Sequence, residues 1–305
     1  MLSFLKRSVA FLLIGLFVYI TMQFFSFERL VTYLQPFLDS PLLLLVVVLL
    51  YAGAFYLRAV AWHLYVARKL SVREAFYGVG LSLFFNHLLP FKAGEAVRVM
   101  TAVRRKALSW EESTHSVVVL RLLDLLFLGL IAGSGAVFLA VNVSIGLLGW
   151  ILAVSVACFF IVSLPFVRKQ LPRLEKHWRT LREGLTGKKG VAVLSLTFVS
   201  WVLEAVVLYL FANGLLGPLG AIWVNSMSVA GGVFQITPGG IGTYESVMSA
   251  SLAVLHIPLS EGYHIAVVVH AFKFFFSFIV GAILLLIAPF HVSWQELKWK
   301  GGGKR

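Results

Sequence analysis

The sequence predicts an all-α polytopic membrane protein, with about six spanning helices and two opposed re-entrant helical hairpins arranged in inverted-topology repeats. Three observations support this fold class. The 305 residues have a mean hydropathy of +0.92 and only 13% of them are charged, which is typical of membrane proteins. Long apolar runs recur along the chain, and two other runs are interrupted by Pro and Gly. We therefore treat residues 1–305 as a single membrane domain.

Six apolar runs predict helices that cross the membrane, at 8–26, 41–66, 114–141, 146–166, 191–216 and 263–289. Their lengths suit a hydrocarbon core that needs about 20 residues of helix. The first run follows Lys6 and Arg7, but it is too long for the apolar part of a secretory signal, and no small-residue cleavage motif follows it. We therefore expect this helix to be retained. The single Cys158 excludes a disulfide within the chain.

The basic residues predict how these helices are oriented. The chain has 26 Lys and Arg against 13 Asp and Glu, and its basic clusters can all lie on one side of the membrane. They include the basic loop at 168–190, whereas only Arg29 falls in an opposite loop. Because cytoplasmic loops carry the excess of Lys and Arg, both termini and the 168–190 loop are expected in the cytoplasm. These clusters fit anionic lipid headgroups better than nucleic acid, so no nucleic-acid partner is expected.

Two regions are predicted to enter the membrane without crossing it. Residues 71–107 contain an apolar run that is broken at NHLLPFKAGEAVR, and residues 219–256 contain one that is broken at FQITPGGIGTYE. Proline removes a backbone donor and glycine weakens a helix, so each run should divide into two short helices. The later pieces, near 94–107 and 242–256, would be only about 20 Å long, which is short for a crossing. We expect both regions to be re-entrant hairpins. The alternative is eight full crossings, which would leave the orientation of the other helices unchanged and so fits the charge pattern equally well.

The two breaks resemble each other, which indicates an internal duplication. In both, a proline is followed four residues later by a glycine and then by a glutamate, and an amide side chain precedes the proline. The first repeat is predicted at 41–141 and the second at 191–289. Their first helices run in opposite directions across the membrane, so the repeats are inverted. Secondary transporters bind their substrates at interrupted helices between such repeats, whereas the alternative is a structural kink at each break.

The stretches LPFKAGEAVR at 89–98 and TPGGIGTYES at 237–246 resemble the membrane flippase region of bacterial lysylphosphatidylglycerol synthases, the multiple peptide resistance factor family, and its free-standing relatives. The resemblance implies a multi-pass protein of the bacterial inner membrane that moves or handles phospholipids or other polar lipids, some with an aminoacyl headgroup. The full-length synthases carry a soluble aminoacyl-transfer domain after the membrane part, whereas this chain ends at HVSWQELKWKGGGKR. We therefore expect that the protein has no aminoacyl-transfer activity and is a transporter rather than an enzyme.

Ionisable residues inside the predicted membrane segments are the candidate functional residues, because each costs roughly 2.5 to 3.5 kcal/mol at the bilayer centre. Cationic side chains bind phosphate oxygens strongly, and the helices that start after the breaks add backbone N–H groups. The candidates to bind a lipid phosphate are Lys92, Arg98, Arg121 and Lys273, with Gly94, Gly239, Gly240 and Gly242. The candidates for ion coupling, or for binding a cationic headgroup, are Glu95, Glu245, Asp124 and Glu204.

These candidates also have structural interpretations. Two acid–base pairs, Glu95 with Arg98 and Arg121 with Asp124, are spaced i,i+3 and can neutralise themselves on one helix face. The glutamates of both breaks can cap the helices that start beside them. Arg58 lies near a helix end, from which its side chain can reach the cytoplasmic surface, so it is ranked lower.

Translocation of a polar lipid between leaflets is the function that this pattern favours. The expected partners are membrane lipids, either anionic or aminoacyl phospholipids, and the sequence leaves homo-oligomerisation open. A second hypothesis is a lipid-modifying enzyme that uses His87 or His270 with a carboxylate as general base. A third is a non-catalytic membrane partner of a cytoplasmic lipid enzyme. No Walker-type, H-E-x-x-H or G-x-S-x-G motif occurs, and neither a cofactor nor a metal is expected.

Overall fold

A computed structural model of the chain describes residues 21–22, 25–89, 92–139, 172–232 and 237–288. These residues form α-helices and a 3₁₀ turn at Pro238–Gly240. No strand occurs in these ranges. The helices are α1 (Phe27–Asp39), α2 (Pro41–Tyr65), α3 (Val72–Leu88), α4 (Gly94–Arg104), α5 (Trp110–Phe138), α6 (Pro172–Leu185), α7 (Gly187–Phe211), α8 (Pro218–Gly231), α9 (Thr243–Val254) and α10 (Leu259–Ile287).

Four of the described helices, α2, α5, α7 and α10, are long and apolar enough to cross a membrane. They correspond to four of the six predicted spans, so the expectation of a helical membrane protein is confirmed. The predicted span at 8–26 reaches the described residues only at its end, and the span at 146–166 lies outside them. Helices α5, α7 and α10 begin at 110, 187 and 259 rather than at 114, 191 and 263. Their first turns are polar, so hydropathy alone places these boundaries too late.

Two segments that were expected to be loops are helical. Arg29 lies in α1, which begins after the N-cap residue Ser26, and its Nη1 pairs with Glu261 of α10 at 2.9 Å. The described part of the 168–190 basic segment forms α6 and the first turn of α7. Leu181 and Leu185 of α6 pack against the hydrophobic core. An apolar stripe of this kind stabilises a helix in an otherwise charged segment, which the count of basic residues does not reveal.

Each of the two broken regions folds as a helical hairpin, α3 with α4 and α8 with α9. In the first, Gly94 allows the close approach of the two helices, since a Cβ there would lie 2.1 Å from the backbone oxygen of Ser82. The amide of Asn86 accepts the N–H of Gly94 at 2.9 Å and so caps α4. In the second, Gly239 and Gly242 have φ of 64° and 87°, a conformation that favours glycine. The glycines therefore permit the close approach and the turn as their chemistry predicts, whereas Pro90 of the first break lies outside the described residues.

Two sets of four helices, α2–α5 and α7–α10, have the same order and similar lengths. They contain 25, 17, 11 and 29 residues in the first set, and 25, 14, 12 and 29 in the second. Helices α2 and α7 pack antiparallel, since Gly53 faces Leu203 whereas Arg58 bonds to Ser200. The second helix of each set packs against the last helix of the other, α3 on α10 and α8 on α5. A two-fold relation between the sets would produce this exchange.

Candidate functional site

The tips of the two hairpins meet beside a cavity of about 160 Å³. Lys92 from the first tip approaches the second, where its Nζ lies 3.5 Å from the position that a Cβ on Gly232 would occupy. Residues of all the helices from α2 to α5 and from α7 to α10 complete the wall. The volume is enough for several water molecules or a phosphate-sized group. The cavity therefore lies where the interrupted helices of the two sets converge.

Eight charged side chains line this cavity, and cations outnumber carboxylates among its described lining residues. Since the imidazoles are counted as neutral, the formal charge of the wall is positive. The cations are Arg58, Lys92, Arg98, Arg121 and Lys273, and the carboxylates are Glu95, Asp124 and Glu204. All of the predicted phosphate-binding cations and three of the four predicted carboxylates thus meet in one place. The fourth, Glu245, lies directly behind the wall, against His270.

A buried ion-pair network forms one side of the cavity. Arg58 Nη2 lies 2.6 Å from Glu204 Oε1, and Lys273 Nζ lies 3.2 Å from Glu204 Oε2. Arg58 also donates to Ser200 and stacks over the ring of Trp201, with its Cζ 4.0 Å from the centroid. The side chain of Arg58 is only 14% exposed, so the expectation that it extends to the surface is wrong. The carboxylate of Glu204 needs a counterion in the interior, and Arg58 supplies it.

Arg98 is the buried cation with the most unused hydrogen-bonding capacity. Its guanidinium stacks on Trp62, with Cζ 4.3 Å from the ring centroid, and Nη1 lies 4.0 Å from Glu95. Its Nε and Nη2 have no hydrogen-bond partner, although the residue is only 8% exposed. Lys92, in the neighbouring tip, makes no hydrogen bond or ion pair with any described residue, and its φ is +52°. Two cations on this side of the cavity are therefore free to bind an anion.

Arg121 and Asp124 of α5 form the ion pair that their i,i+3 spacing predicts. Arg121 Nη1 lies 3.6 Å from Asp124 Oδ2, and the indole Nε1 of Trp201 donates to Asp124 Oδ1 at 3.0 Å. The carboxylate of Asp124 thus has two partners within the protein. The side chain of Arg121 remains 27% exposed and lines the cavity.

The backbone N–H groups of the candidate glycines are mostly used within the protein. Gly94 donates to Asn86, Gly242 to Glu245 at 2.7 Å, and Gly240 to the carbonyl of Thr237 at 3.1 Å. The second of these bonds shows that Glu245 caps α9, as its structural interpretation predicted. The glycines in this conformation serve the turn and the close packing of the tip. Asn86 was noted as an amide before the break, but its capping role depends on hairpin geometry.

Equivalent positions of the two helix sets face the cavity together. Counting from the first residue of corresponding helices matches lining residues of α2 with α7, of α5 with α10 and of α3 with α8. In two of these pairs the charges are opposite, so the duplication preserves the position and not the sign. The pairs are Arg58 with Glu204, Asp124 with Lys273, Arg121 with His270, and Ser82 with Ser228. This register needs the helix starts that the structure gives, because the predicted starts at 41 and 191 would have matched Arg58 with Leu208.

Fold and site together define a polytopic α-helical membrane protein with a charged cavity enclosed by interrupted helices. The chain belongs to the family described as the lysylphosphatidylglycerol synthase TM region, whose model matches residues 7–281. This finding confirms the resemblance seen in the two break motifs. A comparison with curated proteins found no match. Among the described residues, no group of three or more His, Cys, Asp or Glu side chains is arranged to hold a metal ion.

Proposed function

We propose that the protein translocates a polar phospholipid, or another polar lipid, between the leaflets of the bacterial inner membrane. The headgroup would pass through the charged cavity while the acyl chains stay in the bilayer. The unpaired Nε and Nη2 of buried Arg98, together with the unpaired Lys92 of the same cavity wall, are the observation that carries this proposal. The family description, which names a lysylphosphatidylglycerol synthase, supports a lipid with an anionic or aminoacyl headgroup.

Arg98 is buried at an energetic cost. A buried guanidinium that lacks hydrogen-bond partners loses its hydration without full compensation. Phosphate oxygens restore that loss, because they accept charge-assisted hydrogen bonds from the guanidinium and the ammonium together. The ion pairs of Glu204 hold Arg58 and Lys273 on the other side, so the phosphate is assigned to Lys92, Arg98 and, at the rim, Arg121.

Alternating access between inverted repeats is the proposed mechanism. Its support is the recurrence of four helix lengths, the antiparallel contact of α2 with α7 and the exchanged packing of α3 and α8. Transporters of this architecture expose one central site to the two sides in turn. We propose the orientation with both termini in the cytoplasm, in line with the distribution of Lys and Arg. Membrane lipids are the proposed partners, and homo-oligomerisation is compatible with this mechanism.

Reconstitution into liposomes tests the proposal. Fluorescent phosphatidylglycerol and lysylphosphatidylglycerol are placed in both leaflets, and a membrane-impermeant reductant reports the fraction that reaches the outer leaflet. Faster exchange with protein than in empty liposomes is expected for at least one of these lipids. Equal rates with and without protein, for both headgroups, would overturn the proposal.

A lipid-modifying enzyme is the second candidate, and one contact favours it. His270 Nδ1 lies 2.7 Å from Glu245, which is an arrangement that general bases use. However, the other ring nitrogen of His270 faces the carbonyl of Gly239, so it is not free to accept a proton from a substrate. Mass spectrometry of the lipids recovered from the same liposomes decides between the two. An unchanged lipid that has crossed the bilayer supports transport, and a new lipid product supports the enzyme.

A further inference from the structure

His270 and Glu245 form a buried pair that connects α10 to the turn of the second hairpin tip. His270 Nδ1 lies 2.7 Å from Glu245 Oε1, and the side chains are 5% and 7% exposed. The other ring nitrogen, Nε2, lies 3.0 Å from the carbonyl oxygen of Gly239. The other carboxyl oxygen, Oε2, accepts the N–H of Gly242 at 2.7 Å. The pair therefore holds both ends of this turn, and His270 also lines the cavity.

The neighbours of His270 determine how many hydrogens the pair contains. A carbonyl oxygen only accepts hydrogen bonds, so Nε2 must carry a hydrogen. The short contact between Nδ1 and Oε1 then needs one further proton. It is either on Nδ1, as an imidazolium facing a carboxylate, or on Oε1, as a carboxylic acid that donates to Nδ1. Without it, a nitrogen lone pair would face a carboxylate at 2.7 Å in the protein interior, and the two groups would repel each other.

We propose that His270 and Glu245 form a proton-binding site, and that movement of the lipid headgroup is coupled to this proton. The inference rests on the transport function proposed above. Loss of the proton breaks the contact between Nδ1 and Oε1, and so separates the groups that hold the carbonyl of Gly239 and the N–H of Gly242. The turn at the hairpin tip would then change its geometry. Because His270 lines the cavity, the proton exchanges with the space assigned to the headgroup.

Other polar groups around the pair come from several helices. The Tyr244 ring of α9 lies 4.3 Å from the His270 ring, centroid to centroid, and the His87 ring of α3 lies 6.3 Å from it. Lys273, one turn further along α10, is held by Glu204 of α7 and by Asn225 of α8. Tyr244, His87 and Lys273 are thus the titratable neighbours of the pair.

Charge linkage predicts how the proton and the headgroup affect each other. With its proton the pair has no net charge, and without it the pair carries one negative charge next to the cavity. An anionic phosphate in the same cavity would be repelled by the deprotonated pair. Binding of the proton therefore strengthens binding of the anionic lipid, and binding of the lipid strengthens binding of the proton. The lipid and the proton are expected to move in the same direction.

Proton uptake on lipid binding tests the site without transport. Short-chain phosphatidylglycerol is added to the purified protein in weakly buffered detergent solution with a pH-indicator dye. The measurement is repeated over a series of pH values, and the wild type should take up protons as the lipid binds. Glu245→Gln should bind the lipid without uptake, since the amide can satisfy both His270 and Gly242. Glu261→Gln, a matched change outside the cavity, should behave as wild type. Lipid binding by the wild type without proton uptake would overturn the proposal.

Liposomes with a pH difference across the membrane test the coupling itself, with the membrane potential held at zero. The pH difference should shift the labelled phosphatidylglycerol towards one leaflet for wild type and for Glu261→Gln. In Glu245→Gln, exchange should no longer respond to the pH difference. Wild-type exchange that ignores the pH difference would overturn the coupling. Absence of any wild-type exchange would instead overturn the transport function, and the uptake measurement would still decide the proton site.

Discussion

Arg58 and Glu204 occupy matched positions of two antiparallel helices, and their side chains meet at 2.6 Å. Glu204 also binds Lys273 at 3.2 Å, so a single buried carboxylate holds two cations from different helices. The network joins α2 and α7, the first helices of the two sets, with α10 at the wall of the cavity. A rocking of one set against the other would therefore have to carry these ion pairs along or break them.

Replacing Arg58 by methionine should destabilise the protein strongly. The change leaves Glu204 buried with only one of its two cations, and breaking a buried pair in this way typically costs about 3–5 kcal/mol. The measurement is the free energy of unfolding in mixed detergent micelles, or the shift in Tm. The control is Arg29→Met, because Arg29 and Glu261 are 49% and 30% exposed. An exposed pair contributes only about 0–1 kcal/mol, and equal losses in the two variants would contradict this interpretation of Arg58.

Gly94→Ala should disrupt the first hairpin. The added Cβ would lie 2.1 Å from the backbone oxygen of Ser82 and 2.7 Å from the side chain of Asn86, so the two helices would have to separate. Overpacking of this kind costs about 1–3 kcal/mol, which a lowered Tm would show. Gly133→Ala is the matched control, since a Cβ at that helical position meets nothing within 4 Å. A variant at Gly94 that is as stable as the one at Gly133 would show that the tip is packed differently.

The inverted relation that we propose for the two repeats predicts the sides on which their connections lie. Corresponding connections occur at 66–71 and at 212–217, after α2 and α7. Single cysteines are placed at Lys69 and, separately, at Asn213, with Cys158 changed to serine. A membrane-impermeant maleimide should label Lys69→Cys from the cytoplasmic side and Asn213→Cys from the opposite side. Labelling of both from the same side would contradict the inverted arrangement.

The sequence predicted those parts of the fold that depend on local chemistry. The hairpin breaks could be placed because proline lacks a donor and glycine accepts unusual backbone angles, as Gly242 shows. The four long helices could be placed because hydropathy measures their fit to lipid. Hydropathy did not predict α1 or the first turns of α5, α7 and α10. It measures apolar length, and therefore does not detect helix caps or short amphipathic stripes. Arg29, assigned to a loop, is the example.

The pairing within the site was less predictable, because it depends on how distant helices pack. The i,i+3 spacing of Arg121 and Asp124 was enough to predict their ion pair. By contrast, the partner of Arg58 lies 146 positions away in the sequence, and nothing local indicates it. Alignment of the two repeats from the helix starts of the structure matches Arg58 with Glu204, whereas the starts predicted from hydropathy do not. The opposite charges at that matched position are then a reason to expect contact.

Arg98→Ala should slow the translocation of an anionic lipid while the protein still folds. The change removes the unpaired Nε and Nη2 that we assign to the phosphate. Charge-assisted hydrogen bonds contribute about 1.5–3 kcal/mol, which corresponds to a rate about 10- to 100-fold lower. Arg98→Lys keeps the charge but not the two-pronged geometry, so its rate should lie between those of the wild type and of the alanine variant.

The rates come from the liposome exchange assay, with Arg73→Ala as the control because Arg73 is exposed at the start of α3. Tm is measured for each variant, since the guanidinium of Arg98 also stacks on Trp62. A slow Arg98→Ala variant with a Tm near that of the wild type would place the arginine in the translocation path. A variant that is equally stable and translocates phosphatidylglycerol at the wild-type rate would show that the phosphate binds elsewhere. Arg98 would then serve only to pack against the indole of Trp62.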